Sequence, residues 1–271
     1  MIKTREKILW LICMTVFLLL ANSAVTITKM TGTGLPLLLP LMILLFISLR
    51  GTYLWRLKKI EGRPVLLVSV LAVAQAAFSG LVLGPKYDPY LQSLHFFSSV
   101  SVMVVVFYYL SKVRGELPVH MTAAKVFLLR LTGVLLAFQM LYGSMTKGLR
   151  AGFLYGTFPL MGDRFFPPAG LSLLPQWINI FENPVTVQWV HRWLGVATLI
   201  SVYWLGYVFI KSNRNNKGPF IHLMGITTSQ VVVGILSLVL QVPAVLAVAH
   251  QFIAALIVLG YFNIIFRIKD V

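Results

Sequence analysis

Apolar residues run along this chain in long, nearly uninterrupted stretches, and the polar positions gather between them. Each stretch approaches the ~20 residues that a helix needs to cross the core of a bilayer. Eight spans are predicted, at 8–28, 35–55, 64–84, 90–110, 122–143, 185–209, 219–241 and 244–266. The breaks carry residues that end or bend helices: Thr31-Gly32-Thr33-Gly34, Glu61-Gly62-Arg63-Pro64, Gly84-Pro85, Gly115-Glu116-Leu117-Pro118, Asn183-Pro184, Gly218-Pro219 and Val242-Pro243. The first stretch follows a basic flank and lacks a small-residue cleavage site. It reads as an uncleaved span and not as a signal peptide.

Composition agrees with the pattern. Of the 271 residues, 58% are hydrophobic and 11% are charged, against about 25% charged in soluble domains. That excludes an ordinary soluble enzyme and a disordered chain. The net charge of +16 would point to nucleic acid in a soluble protein. Here the basic residues sit at the ends of spans, so the expected partner is the lipid bilayer and no nucleic acid. One side of the spans collects Lys3, Arg5 and Lys7; then Arg50, Arg56, Lys58, Lys59 and Arg63; then Lys112, Arg114 and Lys125; then Lys211, Arg214 and Lys217; then Arg267 and Lys269. The other side has only Lys29, Lys86, Lys147, Arg150 and Arg164. The crowded side is therefore expected to be cytoplasmic, with both termini there. The longest loop, 144–184, then lies outside. It is rich in aromatic, Gly and Pro residues, and is expected to lie along the membrane surface or to fold over a site.

The chain also resembles itself. Spans 3 and 4 contain Gln75, Gly80, an outer turn and His95; spans 7 and 8 contain Gln230, Gly234, an outer turn and His250. The glutamine precedes the histidine by 20 positions in both cases. The segment from Thr26 to Gly32 resembles the one from Gly143 to Gly148, and both are expected to be outer turns. The expected fold is therefore all-α and integral to the membrane: eight transmembrane helices as two pseudo-symmetric four-helix halves, 1–115 and 116–271.

Candidate chemistry rests on histidines. His120 and His222 adjoin cytoplasmic loops and read as ordinary interfacial residues. His95, His191 and His250 lie inside spans, where an ionisable side chain is functional by default. His191 and His250 each lie six residues into a span that enters from outside, roughly 9 Å below one surface. Two imidazoles at one depth suit the axial positions of a haem iron. The alternative is that each histidine hydrogen-bonds across the bundle. Tetrahedral zinc would want two further ligands, and neither cysteines nor nearby carboxylates supply them; the single cysteine, Cys13, makes no Cys-rich site. His95 enters its span to a similar depth, but the matching positions on span 2 are Leu41 and Met42. Arg150, between Gly148 and Gly152, and Arg192, beside His191, are cations of the kind that pair with propionates. Membrane anchoring is the other role open to Arg150. Glu182 is either a helix N-terminal acid or a polar group near the site.

These motifs together resemble the haem A synthase family, the integral membrane enzymes of cytochrome oxidase assembly. The resemblance is carried by GLRAG at 148–152, Thr157-Phe158-Pro159-Leu160-Met161, ENPVTVQWVHRWLG at 182–195, QVVVGILSLVLQVP at 230–243 and LAVAHQ at 246–251, in the family's order. It implies a haem b held through its iron by His191 and His250, with Arg150 and Arg192 as further cofactor-binding residues. It implies haem O as substrate, its ring methyl oxidised to a formyl group, with His95 as a candidate ligand of the substrate iron. No other catalytic residue is assigned. The implied partners are a haem O synthase and the cytochrome oxidase assembly machinery, in a bacterial cytoplasmic membrane, with a homo-oligomer left open. The chain departs from the family in its second span, which has neither an acid nor a histidine, and in lacking the cysteine pair of many bacterial members. The N-terminal half is thus the eroded one. A non-catalytic haem b protein of electron transfer or oxidase assembly is the alternative function, and a haem-free transporter is a third.

Overall fold

The computed structural model describes residues 49–57, 62–82, 89–111 and 115–270, together with Trp10, Cys13 and Phe46. The expected span 8–28, most of 35–55, the Thr31–Gly34 motif and the positions of Leu41 and Met42 lie outside the described residues. The described helices are α1 (Gly62–Val82), α2 (Pro89–Ser111), α3 (Ala123–Gly148), the single turn α4 (Asn179–Glu182), α5 (Pro184–Ser212), α6 (Lys217–Val239) and α7 (Ala244–Ile265). Two-residue strands β1 (Leu117–Pro118) and β2 (Ile268–Lys269) pair in parallel, Leu117 opposite Ile268. Among the described residues, five helices are long and apolar enough to cross a membrane. The protein is an all-α integral membrane protein.

The chain divides into two compact units, drawn from 1–87, 95–118 and 258–269 and from 88–94, 119–257 and 270–271. In the first unit, the β1–β2 pair is reinforced by Arg267 Nε donating to Gly115 O at 2.7 Å and by a surface ion pair of Lys269 with Glu116 at 3.1 Å. In the second, α5 is the hub, packing on both α3 and α6. Thr132 on α3 and Ser201 on α5 share a buried hydrogen bond of 2.7 Å, and Tyr203 on α5 meets Thr228 on α6 at 2.8 Å. Gly206 gives the Met224 sulfur its place between α5 and α6. Small residues and hydroxyls at helix contacts suit a bundle that has no hydrophobic drive to associate in lipid. The outward positions are apolar: Phe127, Val134 and Phe138 on α3, Ile200, Trp204 and Tyr207 on α5, and Val232 and Leu236 on α6 are all exposed. Such a surface would aggregate in water and is the expected face toward acyl chains.

Helix starts follow local chemistry. Thr122 caps α3 by accepting from Lys125 N at 3.3 Å, and Asn183 caps α5 by accepting from Val185 N at 2.9 Å, with Pro184 in the first turn. The end of α3 corrects the sequence expectation. Residues 144–148 are helical and do not form a turn. Ser144 and Thr146 turn their hydroxyls back onto the carbonyls of Leu141 and Tyr142, each at 2.8 Å, so residues that favour turns are absorbed into one more helical turn. Lys147 then sits in the last turn, where the helix dipole favours a cation.

Candidate functional site

The connection from Leu149 to Asn183 is an ordered cap at one end of α5. It is made of short 3-10 turns at Ala151–Phe153, Pro168–Leu171 and Gln176–Ile178, followed by α4. Two buried asparagines hold it. Asn179 Nδ2 donates to the carbonyls of Leu173 and Gln176, each at 2.9 Å, and its Oδ1 accepts from Leu173 N at 3.1 Å. Asn183 Nδ2 donates to Ala169 O at 2.7 Å and to Asn179 Oδ1 at 2.9 Å. Thr186 Oγ1 donates to Gly170 O. Phe165 and Phe166 pack edge-on against Trp189 with centroids 5.7 and 5.4 Å apart, and Phe165 also meets Trp193 at 4.9 Å. These contacts fix the first turns of α5, which carry Gln188, Trp189, His191 and Arg192.

His191 on α5 and His250 on α7 face one another, with ring centroids 6.3 Å apart and planes at 84°. Two imidazoles bonded on opposite sides of one metal, each at ~2.0 Å, have centroids about 6 Å apart. That distance also suits edge-to-face packing of two rings. Nδ1 of each histidine is buried without a well-formed hydrogen bond, although each ring approaches a main-chain carbonyl, that of Gln139 for His191 and that of Gln230 for His250. An unpaired buried nitrogen is costly unless something binds it. His250 Nε2 lies 3.2 Å from Gln230 Nε2. The 20-residue Gln–His spacing therefore corresponds to a side-chain contact between α6 and α7. His191 has a counterpart that sequence reasoning missed. Its ring lies against the main-chain carbonyl of Gln139 and over Gly143, both on α3, as the His250 ring lies against the Gln230 carbonyl and over Gly234. Gln139 precedes Gly143 by four residues, and Gln230 precedes Gly234 by four. That repeat was the available signal.

The two arginines differ. Arg192 Nη1 donates to the carbonyls of Thr157 at 2.6 Å and Leu160 at 3.2 Å, and Nη2 donates to Tyr155 O at 2.6 Å. Gln188 Nε2 reaches the same Tyr155 carbonyl at 3.1 Å. The guanidinium beside His191 is thus committed largely to the cap, and only its buried Nε lacks a partner. Arg150 is exposed and begins the 3-10 turn after α3 in a left-handed conformation, φ 52°. Glu182 is exposed and ends α4.

His95 belongs to the other unit. It is buried on α2, its carbonyl accepts from Gln75 Nε2 at 3.1 Å and from Ser98 Oγ at 2.9 Å, and its ring stands edge-on to Phe78 with centroids 5.4 Å apart. Gln75 therefore reaches the backbone of its histidine, where Gln230 reaches the ring. Among the described residues, no three His, Cys, Asp or Glu side chains cluster as a metal site.

Membrane-crossing helices that bring two buried imidazoles face to face define a polytopic membrane protein with a candidate two-histidine site. Residues 27–261 match the COX15-CtaA family, described as cytochrome oxidase assembly protein, and the chain belongs to that family. It is 30% identical over 231 residues to the heme A synthase of Wolbachia pipientis wMel, covering 81% of this chain and 62% of that protein. It is 31% identical over 176 residues to the heme A synthase of Wolbachia sp. subsp. Brugia malayi (strain TRS), covering 64% and 51%. A third relative, the heme A synthase of Allorhizobium ampelinum, is 42% identical over 132 residues, covering 47% and 35%. The chain thus spans about half to three-fifths of the length of the two Wolbachia relatives.

Proposed function

We propose that this chain is a haem A synthase-type membrane oxidoreductase, which converts haem O to haem A for cytochrome oxidase assembly. In this reading eight spans form two halves, 1–115 and 116–271, with both termini in the cytoplasm of a bacterium. A haem b is held between His191 and His250, and haem O is the substrate of the N-terminal half, with His95 as one ligand of its iron. The observation that carries the reading is the His191–His250 pair, two rings that face one another with centroids 6.3 Å apart and a buried Nδ1 on each. The donor set fits a haem: two imidazole nitrogens, no third His, Cys, Asp or Glu clustered with them among the described residues, and glycines where side chains would crowd the rings. When bound, the haem supplies one-electron iron chemistry. The protein's part is to hold both imidazoles at one separation, to keep water out with the cap on α5, and to offer Arg150 and the remaining Nε–H of Arg192 to propionate carboxylates. A haem O synthase supplies the substrate, and the oxidase assembly machinery receives the product.

A second reading, a haem b protein without synthase activity, is favoured by one observation: span 2 offers Leu41 and Met42 where a histidine partner for His95 is expected. The test is a pyridine haemochrome spectrum with chromatography of extracted haems, on protein purified after co-expression with a haem O synthase. Haem b together with haem A or a hydroxylated haem O supports the synthase. Haem b alone, with haem O present in the cells, supports the second reading. No haem at all refutes both.

A further inference from the structure

Gly143 and Gly234 occupy equivalent places. Each lies on a helix facing a histidine of the pair, one turn beyond a glutamine whose carbonyl the ring touches. A Cβ on Gly143 would come within 3.0 Å of His191 Cε1, and a Cβ on Gly234 within 2.7 Å of His250 Cε1. Both are inside the ~3.5 Å at which carbon atoms meet comfortably. The next atoms are also ring atoms: Nδ1 at 3.5 Å from the first position and at 3.2 Å from the second. The three nearest atoms to either position all belong to the imidazole. By contrast, a Cβ on Gly225 of the same α6 would meet nothing within 4 Å.

We propose that Gly143 and Gly234 are positioning residues: they seat the Cε1 edges of the His191 and His250 rings against α3 and α6, and so set the direction from which each imidazole meets a metal. The proposal rests on the haem b reading above. Its physical basis is an asymmetry between the empty and the loaded protein. With nothing bound, an imidazole meeting an added methyl can swing away about χ1 and χ2 at small cost. With an iron between the rings, neither can leave without lengthening or tilting its bond. An alanine at either seat therefore acts on the loaded protein and spares the empty one, and inside a helix alanine is the better helix former.

The experiment uses the full-length protein purified from membranes. Gly143→Ala, Gly234→Ala and the control Gly225→Ala are compared by haem retention through chromatography, by the ferric low-spin EPR spectrum, and by thermal unfolding after the haem is removed. Rings near 84° predict a strongly anisotropic low-spin signal in the wild type. The two seat variants are expected to lose haem ~10-fold more readily, the scale of losses on disturbing groups that orient metal ligands, and to shift that signal. Gly234→Ala is expected to show the larger effect, because its contact is the closer. The haem-free proteins are expected to melt no lower than wild type. If both seat variants match Gly225→Ala in retention and signal, the seats do not position the ligands. If they unfold early when empty, their role is structural and the proposal fails. A wild type without a bis-imidazole low-spin haem overturns both this inference and the function on which it rests.

Discussion

Arg192→Ala tests whether the arginine beside His191 serves mainly to hold the cap. The substitution removes donors to three carbonyls, two of them at 2.6 Å (Thr157 and Tyr155) and one at 3.2 Å (Leu160). A hydrogen bond from a charged donor contributes about 1.5–3 kcal/mol, and these are partly exposed, so each belongs at the low end. Gln188 still reaches Tyr155 O, which leaves that carbonyl a partner. Two strong bonds and one weak one, counted as non-additive, give ~2–4 kcal/mol of local stability, or about 30- to 800-fold in the opening equilibrium. The readout is hydrogen exchange in detergent or nanodiscs on peptides covering 153–164. The reporters are the amides of Met161, bonded to Arg164 O at 2.8 Å, and Gly162, bonded to Thr157 Oγ1 at 2.8 Å. Their exchange is expected to accelerate by at least ~30-fold while the centre of α5 stays protected. Arg192→Lys is expected to behave nearly as badly, because an ammonium lacks the planar fork that spans these carbonyls. Unchanged exchange at Met161 and Gly162 in Arg192→Ala would refute the bracing role and return the guanidinium to the binding site.

Other outcomes follow from the same geometry. His191→Ala and His250→Ala are each expected to abolish the low-spin haem b spectrum, whereas His95→Ala keeps that spectrum and loses haem O conversion; both are read by optical spectra and extracted-haem chromatography. Asn183→Ala removes the cap of α5 and the tie to Ala169, and is expected to lower thermal stability by ~2 kcal/mol. A value near zero would mean that the cap contributes nothing to α5. A double-mutant cycle of Thr132→Val with Ser201→Ala, followed by unfolding in mixed micelles, is expected to give a coupling of ~0.6 kcal/mol and no more than ~1.7. Absence of coupling would mean that the two hydroxyls do not hold α3 to α5.

The five described helices long enough to cross a membrane were legible because Gly and Pro punctuate them; α5, for example, begins at Pro184 where 185 was expected, and α7 at Ala244 as expected. The end of α3 was not, because Ser144 and Thr146 resemble turn residues until their hydroxyls are seen to bond within the helix. That His191 and His250 come face to face was within reach of helical rise, which places both six residues into their spans, and the Gln230–His250 contact followed from a tight turn that keeps sequence spacing meaningful. The Gln139–Gly143 counterpart was hidden because the cap separates α3 from α5, so no fixed spacing links it to His191. The task of Arg192 was illegible for another reason. Its partners are main-chain carbonyls of irregular backbone, which leave no mark on side-chain pattern.

The turn between α6 and α7 has a consequence for the distance between the two rings. Gln241 and Val242 both adopt left-handed backbone, φ 61° and 56°, at a cost of order 1–3 kcal/mol each and rare for a β-branched residue. The Gln241 amide packs on Gly156 of the cap, and Val242 Cγ2 lies 3.3 Å from where a Cβ on Gly152 would be. His250 stands eight residues beyond Val242, and Arg192, next to His191, grips the cap at 155–160. The two histidines are thereby the tips of a caliper whose hinge is the cap, and the gap between them is gauged from the edge of the bundle. Stiffness at 152–160 then becomes a tolerance on the separation of the rings, so that a substitution in a loop touching neither ring would register in the distance between them.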